Sequence, residues 1–281
     1  MNRRDWAEPL PKSNILDLSN NVCYDKYINR DYEQADTSYP DDSIAYKHLS
    51  HYYSISPKNI AIGYGSCELI LRIMTMYRDK RITIVKPTWQ LAEMYAIHLG
   101  MKVCDNGDIL YIANPNGLTG KSLSKDQLLK LIQKYQLVIV DEAYSDFNDY
   151  SIVDIAPLLK NVIVVKTLSK TIASPGLRFG YCFANEQIIK QLQDCRPGYV
   201  TTGVTISALD CLLPQIDLHV ARMIDTRDYI ENKYPIVPSK GNYVLFKQNP
   251  RLPVKMKEVD GLFRMALTDL VTFKELENEY Y

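Results

Sequence analysis

An α/β fold, with an open and mainly parallel sheet covered by helices and a smaller domain after it, is what this sequence predicts. Three observations carry that expectation. Between about residues 59 and 185, short apolar β-rich runs alternate with amphipathic stretches, and each run is short enough to be a strand buried on both faces. Past Val204 this βαβ rhythm gives way to one long amphipathic stretch and then a few strand-like runs. The composition is also globular: 281 residues, 46% hydrophobic and 23% charged, supply a large core and exclude wholesale disorder.

Taken in order, the first forty residues, with Pro9, Pro11 and Pro40 and several tyrosines, read as an irregular arm. Strands are expected at 82–86, 109–113, 137–140, 162–166 and 179–184. Helices are expected between them at 67–77, 90–99 and 125–135, the last opened by Ser124 as N-cap. A long helix then reaches about Lys233, two strands follow at 243–246 and 263–267, and a helix near 272–279 closes the chain. The expected division is an arm at 1–38, a large domain at 39–203 and a small C-terminal domain at 204–281. No internal repeat or low-complexity tract interrupts this plan.

Lysine plus arginine and aspartate plus glutamate both number 33, so no net field favours nucleic acid or an anionic membrane. A small ligand held by a local cluster is the expectation. No apolar run approaches the length of a membrane span, and MNRRDWAEPLPK has no apolar stretch behind its arginines, so a soluble cytoplasmic protein is expected. Cys23, Cys67, Cys104, Cys182, Cys195 and Cys211 form no CxxC pair and no histidine-flanked cluster. Reduced thiols are expected, and no metal site.

In an open α/β sheet, ligands lie beyond the carboxyl ends of the strands, so the turns after the apolar runs carry the information. Gly63-Tyr64-Gly65-Ser66 precedes a helix and suits a phosphate, without the lysine of a Walker loop. Asn114-Pro115-Asn116-Gly117-Leu118-Thr119-Gly120 follows ILYIA and offers amides. Asp141-Glu142-Ala143-Tyr144 follows LVIV and places an acid and a phenol where a buried strand emerges. Each of these, alone, also fits an ordinary turn or helix cap.

The stretch from Lys166 to Tyr181 is more specific: Thr167, Ser169 and Lys170, then Gly176-Leu177-Arg178-Phe179-Gly180-Tyr181. It resembles the lysine signature of fold-type I pyridoxal-phosphate (PLP) aminotransferases of class I/II, and the other three turns fall in that family's order. Thr167-Leu168-Ser169-Lys170, Tyr39-Pro40, Pro87-Thr88-Trp89 and Pro238-Ser239 before Gly241-Asn242-Tyr243 are most similar to the histidinol-phosphate aminotransferase branch. The resemblance implies a three-layer αβα large domain, a trimmed α+β small domain and PLP as cofactor. It also implies a homodimer with shared active sites, acting on small amine and 2-oxo acid substrates.

Carried over residue by residue, the resemblance makes Lys170 the imine-forming lysine, Asp141 the partner of the pyridine nitrogen and Tyr144 the donor to the ring hydroxyl. Gly65, Ser66, Cys67, Thr167, Ser169 and Arg178 belong to the phosphate end, and Trp89 stacks on the ring. Tyr39 reaches the neighbouring subunit's phosphate. Arg264, with Asn21 and Tyr39, faces the substrate. The chemistry asks for these residue types: a lysine must lose its proton to attack a carbonyl, and a carboxylate at the ring nitrogen keeps the electron sink protonated. The implied activity moves an amino group from an amino acid or phosphorylated amine to a 2-oxo acid.

Three departures stand out. Gly117-Leu118 replace the family's Asn-Pro, so its ring-hydroxyl amide is missing or moved to Asn116. Cys67 stands in the family's Gly-Ser-Asp-Glu, where packing is the expected role. The chain is also short between 89 and 114 and between 246 and 263, leaving Arg251, Lys255 and Lys257 without counterparts. Two other readings follow: a decarboxylase of the threonine-phosphate type, which shares these motifs, and a non-catalytic remnant of the fold.

Overall fold

A computed structural model describes residues 16–19, 21–30 and 39–278. The rest of the expected arm, with Pro9 and Pro11, and the last residue expected in the closing helix, Glu279, lie outside the described residues.

The chain enters through β1 (Leu16–Asp17) and an irregular stretch to residue 30. Helix α1 (Asp42–Tyr53) was not foreseen, because it buries only Ala45 and Leu49 and so shows little apolar periodicity. Its start is chemical: the Asp41 side chain accepts from the Ser43 N–H. The βαβ body then runs β2 (Ile60–Tyr64), α2 (Gly65–Met76), β3 (Ile82–Ile84), α3 (Gln90–His98), β4 (Ile109–Ala113), α4 (Lys125–Ile132), β5 (Leu137–Asp141), β6 (Val162–Thr167), α5 (Leu168–Thr171), β7 (Phe179–Phe183) and α6 (Glu186–Asp194). Ser124 caps α4 as expected and forms a full capping box with Gln127.

These strands form a six-stranded sheet in the order β2-β7-β6-β5-β4-β3. Neighbours from β3 to β6 pair in parallel, while β7 runs antiparallel to both β6 and β2. The alternation of side chains sorts each strand between two cores. Val138, Val140, Val162 and Val164 belong to one, and Ile139, Ile163 and Val165 to the other, against Leu69, Ile73 and Ala92 from α2 and α3. Both faces are therefore buried, which is why the strands read as unbroken apolar runs.

The expected single helix after Val204 is two, α7 (Gly203–Leu212) and α8 (Ile216–Lys233), joined by a 3₁₀ turn containing Pro214. Proline has no N–H to continue the ladder, which accounts for the break. Taken together, 203–233 is long and apolar enough to cross a membrane by length and composition, contrary to the expectation of no such run, and half of its most apolar window is buried in the fold. Beyond it come β8 (Ile236–Val237), β9 (Tyr243–Phe246), β10 (Val254–Lys255), β11 (Lys257–Val259), β12 (Leu262–Ala266) and α9 (Leu270–Asn278). An antiparallel sheet of order β11-β12-β9-β8 results, and β10 instead pairs in parallel with β1. The first core passes without interruption into this second sheet, through Val244, Phe246 and Met265.

Candidate active site

The carboxyl ends of β5, β6 and β7's neighbours converge, and the four turns singled out from sequence meet there. Asp141 is the last residue of β5. One of its oxygens accepts from the Tyr111 hydroxyl at 2.7 Å and the other from the Ala143 N–H at 3.1 Å. Burial pushes its carboxyl above the usual carboxylate range, with those two hydrogen bonds opposing the shift. A buried acid of this kind is held ready for a cationic partner.

Lys170 sits on α5, the short helix that leaves β6, and its Nζ donates to the main-chain oxygen of Asn21 at 3.1 Å. Thr167 caps that helix: its hydroxyl accepts from the Ser169 N–H at 3.2 Å and donates to the Phe179 oxygen at 3.1 Å.

The phosphate end is shaped by close approach. Thr167 pairs with Gly180 across β6 and β7. A Cβ on Gly180 would lie 2.3 Å from both the Gly65 carbonyl carbon and the Ser66 nitrogen, so the start of α2 is pressed onto this glycine. Gly65 has φ +77°, and a Cβ there would meet Arg178 Nη2 at 2.4 Å. Arg178, itself at φ 52°, is anchored by donating to the Pro175 oxygen at 3.0 Å, and its guanidinium lies 5.7 Å from the Tyr64 ring. Helix α2 therefore presents its N-terminal dipole, without a side-chain cap from Tyr64, beside an arginine and two hydroxyl-bearing residues. Burial pushes the Cys67 thiol up, with Arg178 opposing, so a packing role for Cys67 agrees with its surroundings.

The ring end is assembled from distant segments. The Tyr144 hydroxyl accepts from Asn21 Nδ2 at 3.2 Å, and its ring stands edge-on to Tyr243 with centroids 6.1 Å apart. Asn116 divides its amide between two loops: Nδ2 donates to the Pro87 oxygen at 2.6 Å, and Oδ1 accepts from the N–H groups of Leu118 and Thr119, both at 3.0 Å. Of the two expectations for the ring-hydroxyl amide, that it is missing or moved to Asn116, the structure favours the first, since this side chain is committed. The reason is that Oδ1 closes an Asx-type turn in its own loop while Nδ2 bridges to Pro87 in the turn after β3. Trp89, at the N-cap of α3, is half-buried and stands edge-on to Tyr95.

Arg264 lies on β12, 7% exposed, with its guanidinium 5.6 Å from the Tyr243 ring. Its Nη2 reaches the Ser19 oxygen only at 3.5 Å. Arg264 Nε, Asn21 Oδ1 and Asn242 Oδ1 are buried with no hydrogen-bond partner among the described residues. Groups of this kind mark where a polar ligand completes the protein. Tyr39 is 76% exposed and stacks on Tyr199 at 4.2 Å, remote in its contacts from Arg264. Of the charges without counterparts, Lys255 pairs with Asp17 at 2.8 Å, while Arg251 and Lys257 are exposed.

Sequence reasoning passed over Tyr111 and gave Tyr243 no role of its own. A phenol inside the otherwise aliphatic run ILYIA was the available signal, since a buried hydroxyl needs a partner. PLP, the cofactor expected from the sequence, fits this arrangement: the glycine-lined cradle by Arg178 suits its phosphate, Asp141 its ring nitrogen, Tyr144 its ring hydroxyl and Lys170 its carbonyl.

Fold and site together define an α/β protein of the PLP-binding aminotransferase class. A family model for aminotransferase class I and II matches residues 102–260. Histidinol-phosphate aminotransferase of Pyrococcus furiosus is 31% identical over 227 residues, covering 71% of this chain and 66% of that protein. The corresponding enzyme of Thermoanaerobacter pseudethanolicus is 28% identical, covering 78% of this chain and 69% of that protein. Among solved structures, histidinol-phosphate aminotransferase of Sinorhizobium meliloti in complex with pyridoxal-5'-phosphate superposes with a TM-score of 0.73 at 17% identity, covering 86% of this chain and 81% of that one. L-threonine-O-3-phosphate decarboxylase of Porphyromonas gingivalis does so with 0.74 at 17% identity, covering 95% and 99%, a likeness of fold alone. The chain belongs to the aminotransferase class I and II family, and its matched part spans 66% of the length of the first two relatives it resembles.

Proposed function

We propose that this protein is a PLP-dependent aminotransferase of the histidinol-phosphate aminotransferase type. It transfers an amino group from an amino acid or phosphorylated amine to a 2-oxo acid. The observation that carries this reading is the meeting of Asp141 and Tyr144, from the turn after β5, with Lys170, from the turn after β6, beside the Arg178 cradle.

When bound, PLP supplies a carbonyl carbon that reacts with amines and a ring that accepts an electron pair. The chain's own residues do the rest. Arg178, the start of α2 and the hydroxyls of Thr167 and Ser169 would hold the phosphate. Asp141, whose ionisation in the cofactor-free chain is opposed by burial, would find its cationic partner in the ring nitrogen and would keep that nitrogen protonated. Tyr144 donates to the ring oxygen. Lys170 Nζ, freed to titrate, would serve as the base that takes the substrate's Cα proton and as the acid that gives it back. Arg264, buried and with Nε unpartnered, binds an anionic substrate group and keeps water from it.

The relatives named for histidinol-phosphate aminotransferase support transamination, whereas the decarboxylase reading has only a likeness of fold. The remnant reading has no use for a buried acid, phenol and lysine in this arrangement. The functional unit is a homodimer. The exposed, stacked pair of Tyr39 and Tyr199 supports this, since exposed apolar rings are what a second subunit covers.

The test is a visible spectrum of the purified protein with PLP, beside Lys170→Ala, followed by a screen of amino donors against 2-oxo acids with histidinol phosphate among the donors. Keto product formed in proportion to consumed acceptor supports the proposal. Carbon dioxide release without keto product, or no PLP band in folded protein, overturns it.

A further inference from the structure

Asn21 stands out because it touches two of the three reactive residues at once. Its side-chain Nδ2 donates to the Tyr144 hydroxyl, 123 residues away, and its main-chain oxygen accepts from Lys170 Nζ at 3.1 Å. That same oxygen accepts from Asn242 Nδ2 at 3.0 Å, which ties this point of the arm to β9's approach. The backbone at Asn21 is left-handed, φ 51°, a conformation that asparagine and glycine adopt at least cost.

The turn after β4 cannot serve Tyr144. Asn116 has committed both ends of its amide. Gly117 carries no donor in a side chain, and a Cβ at that position would lie 2.5 Å from Tyr144 Cε2, so the phenol ring already fills the space a larger residue needs.

A phenol has one proton to give. With Asn21 Nδ2 donating to its oxygen, that proton is directed away from Asn21, and the accepted hydrogen bond makes the O–H a stronger donor. We infer that Asn21 is a positioning residue: its amide orients the Tyr144 phenol toward an anionic oxygen of the ligand, while its carbonyl holds Lys170 alongside. This rests on the proposed function for the identity of the ligand but not for the Asn21–Tyr144 contact itself.

Asn21→Gly keeps the left-handed backbone and the carbonyl while deleting the amide. Asn21→Asp keeps the shape and turns the donor into an acceptor, which draws the phenol proton toward itself. PLP affinity, followed by absorbance titration, is expected to fall about tenfold in Asn21→Gly, the scale of one hydrogen bond, and further in Asn21→Asp. The pH midpoint of the bound-cofactor band is expected to move in both. In a Tyr144→Phe background, either substitution changes affinity by less than about twofold, because the shared partner is already gone.

A second readout needs no cofactor. In full-length protein carrying 3-fluorotyrosine, the ¹⁹F resonance assigned to Tyr144 by its loss in Tyr144→Phe shifts in Asn21→Gly and Asn21→Asp. An unmoved resonance and an unmoved pH midpoint, with effects additive to Tyr144→Phe, overturn the inference. A wild type that binds no PLP, with the Tyr144 resonance still shifted in the two Asn21 variants, overturns the functional reading and leaves the Asn21–Tyr144 inference standing.

Discussion

The phosphate end and the substrate end of this site are built in opposite ways. At the first, β6, β7 and α2 press together so closely that glycine is required at positions 65 and 180, and Arg178 is anchored to a carbonyl. At the second, Arg264, Asn21 and Asn242 are buried with unpartnered atoms, contributed by the arm and the second sheet. A fixed group shared by every turnover suits the packed end. The end with open hydrogen-bonding capacity is where substrates are distinguished, because a buried polar group left unpaired penalises the wrong ligand.

If that contrast holds, substitutions should separate cofactor binding from substrate binding. The largest effect is expected at Lys170, which belongs to both: Lys170→Ala abolishes the visible band and lowers turnover on the order of 10⁴-fold or more, checked by single-turnover kinetics. Next, Gly180→Ala forces a Cβ to 2.3 Å from main-chain atoms of Gly65 and Ser66, where neither neighbour can yield as a side chain does. A loss of about 2–4 kcal/mol in urea unfolding is expected, together with PLP binding weakened at least tenfold. Unchanged stability would mean that the packed end is looser than described.

Arg264→Gln tests the other end. It should raise KM for the anionic substrate roughly 30- to 100-fold and leave PLP affinity within about twofold, measured by steady-state kinetics beside absorbance titration. Equal losses in both would erase the contrast.

The smallest effect is on stability, at Asp141. Because burial raises its folded-state value above the unfolded one, its contribution is most favourable at pH below the ordinary aspartate range and is lost as pH rises through the raised value. Asp141→Asn should therefore raise the Tm of the cofactor-free protein at neutral pH and flatten its fall with pH. PLP should stabilise the wild type more than the variant, since only the wild type offers the ring nitrogen a counter-charge. Thermal melts at several pH values with and without PLP check this.

Much of the sheet was legible in the sequence because strands buried on both faces must be apolar throughout: 109–113 was placed as observed, and 137–140 and 162–166 each fell one residue short. Strand β2 escaped although residues 60–63 are buried, because glycine and alanine shorten its apolar run; the other elements that escaped are buried slightly or on one side. Helix α1 hides only two side chains, and β8 spans two residues. Helix α6 was missed although its Asn185 cap and alternating apolar face carry an ordinary helical signal. Direction was illegible too, since nothing in 179–184 says that β7 runs against its neighbours; that follows from how far the connection from Thr171 can carry the chain.

The same division runs through the site. Lys170, Thr167, Ser169, Arg178 and Gly180 lie within one short stretch, so their types and spacing carry the chemistry, and Asp141 and Tyr144 are likewise set by a single turn after β5. That much the sequence determined by itself. The meeting of Asn21 with Tyr144 and Lys170, the reach of the Asn116 amide to Pro87, the fit of the Tyr144 ring against Gly117 and the burial of Arg264 were decided only by tertiary structure. The physical reason is distance along the chain: these contacts join separate elements, 29 residues apart for Asn116 and Pro87 and 149 apart for Asn21 and Lys170, and no local pattern of side chains encodes how those elements pack.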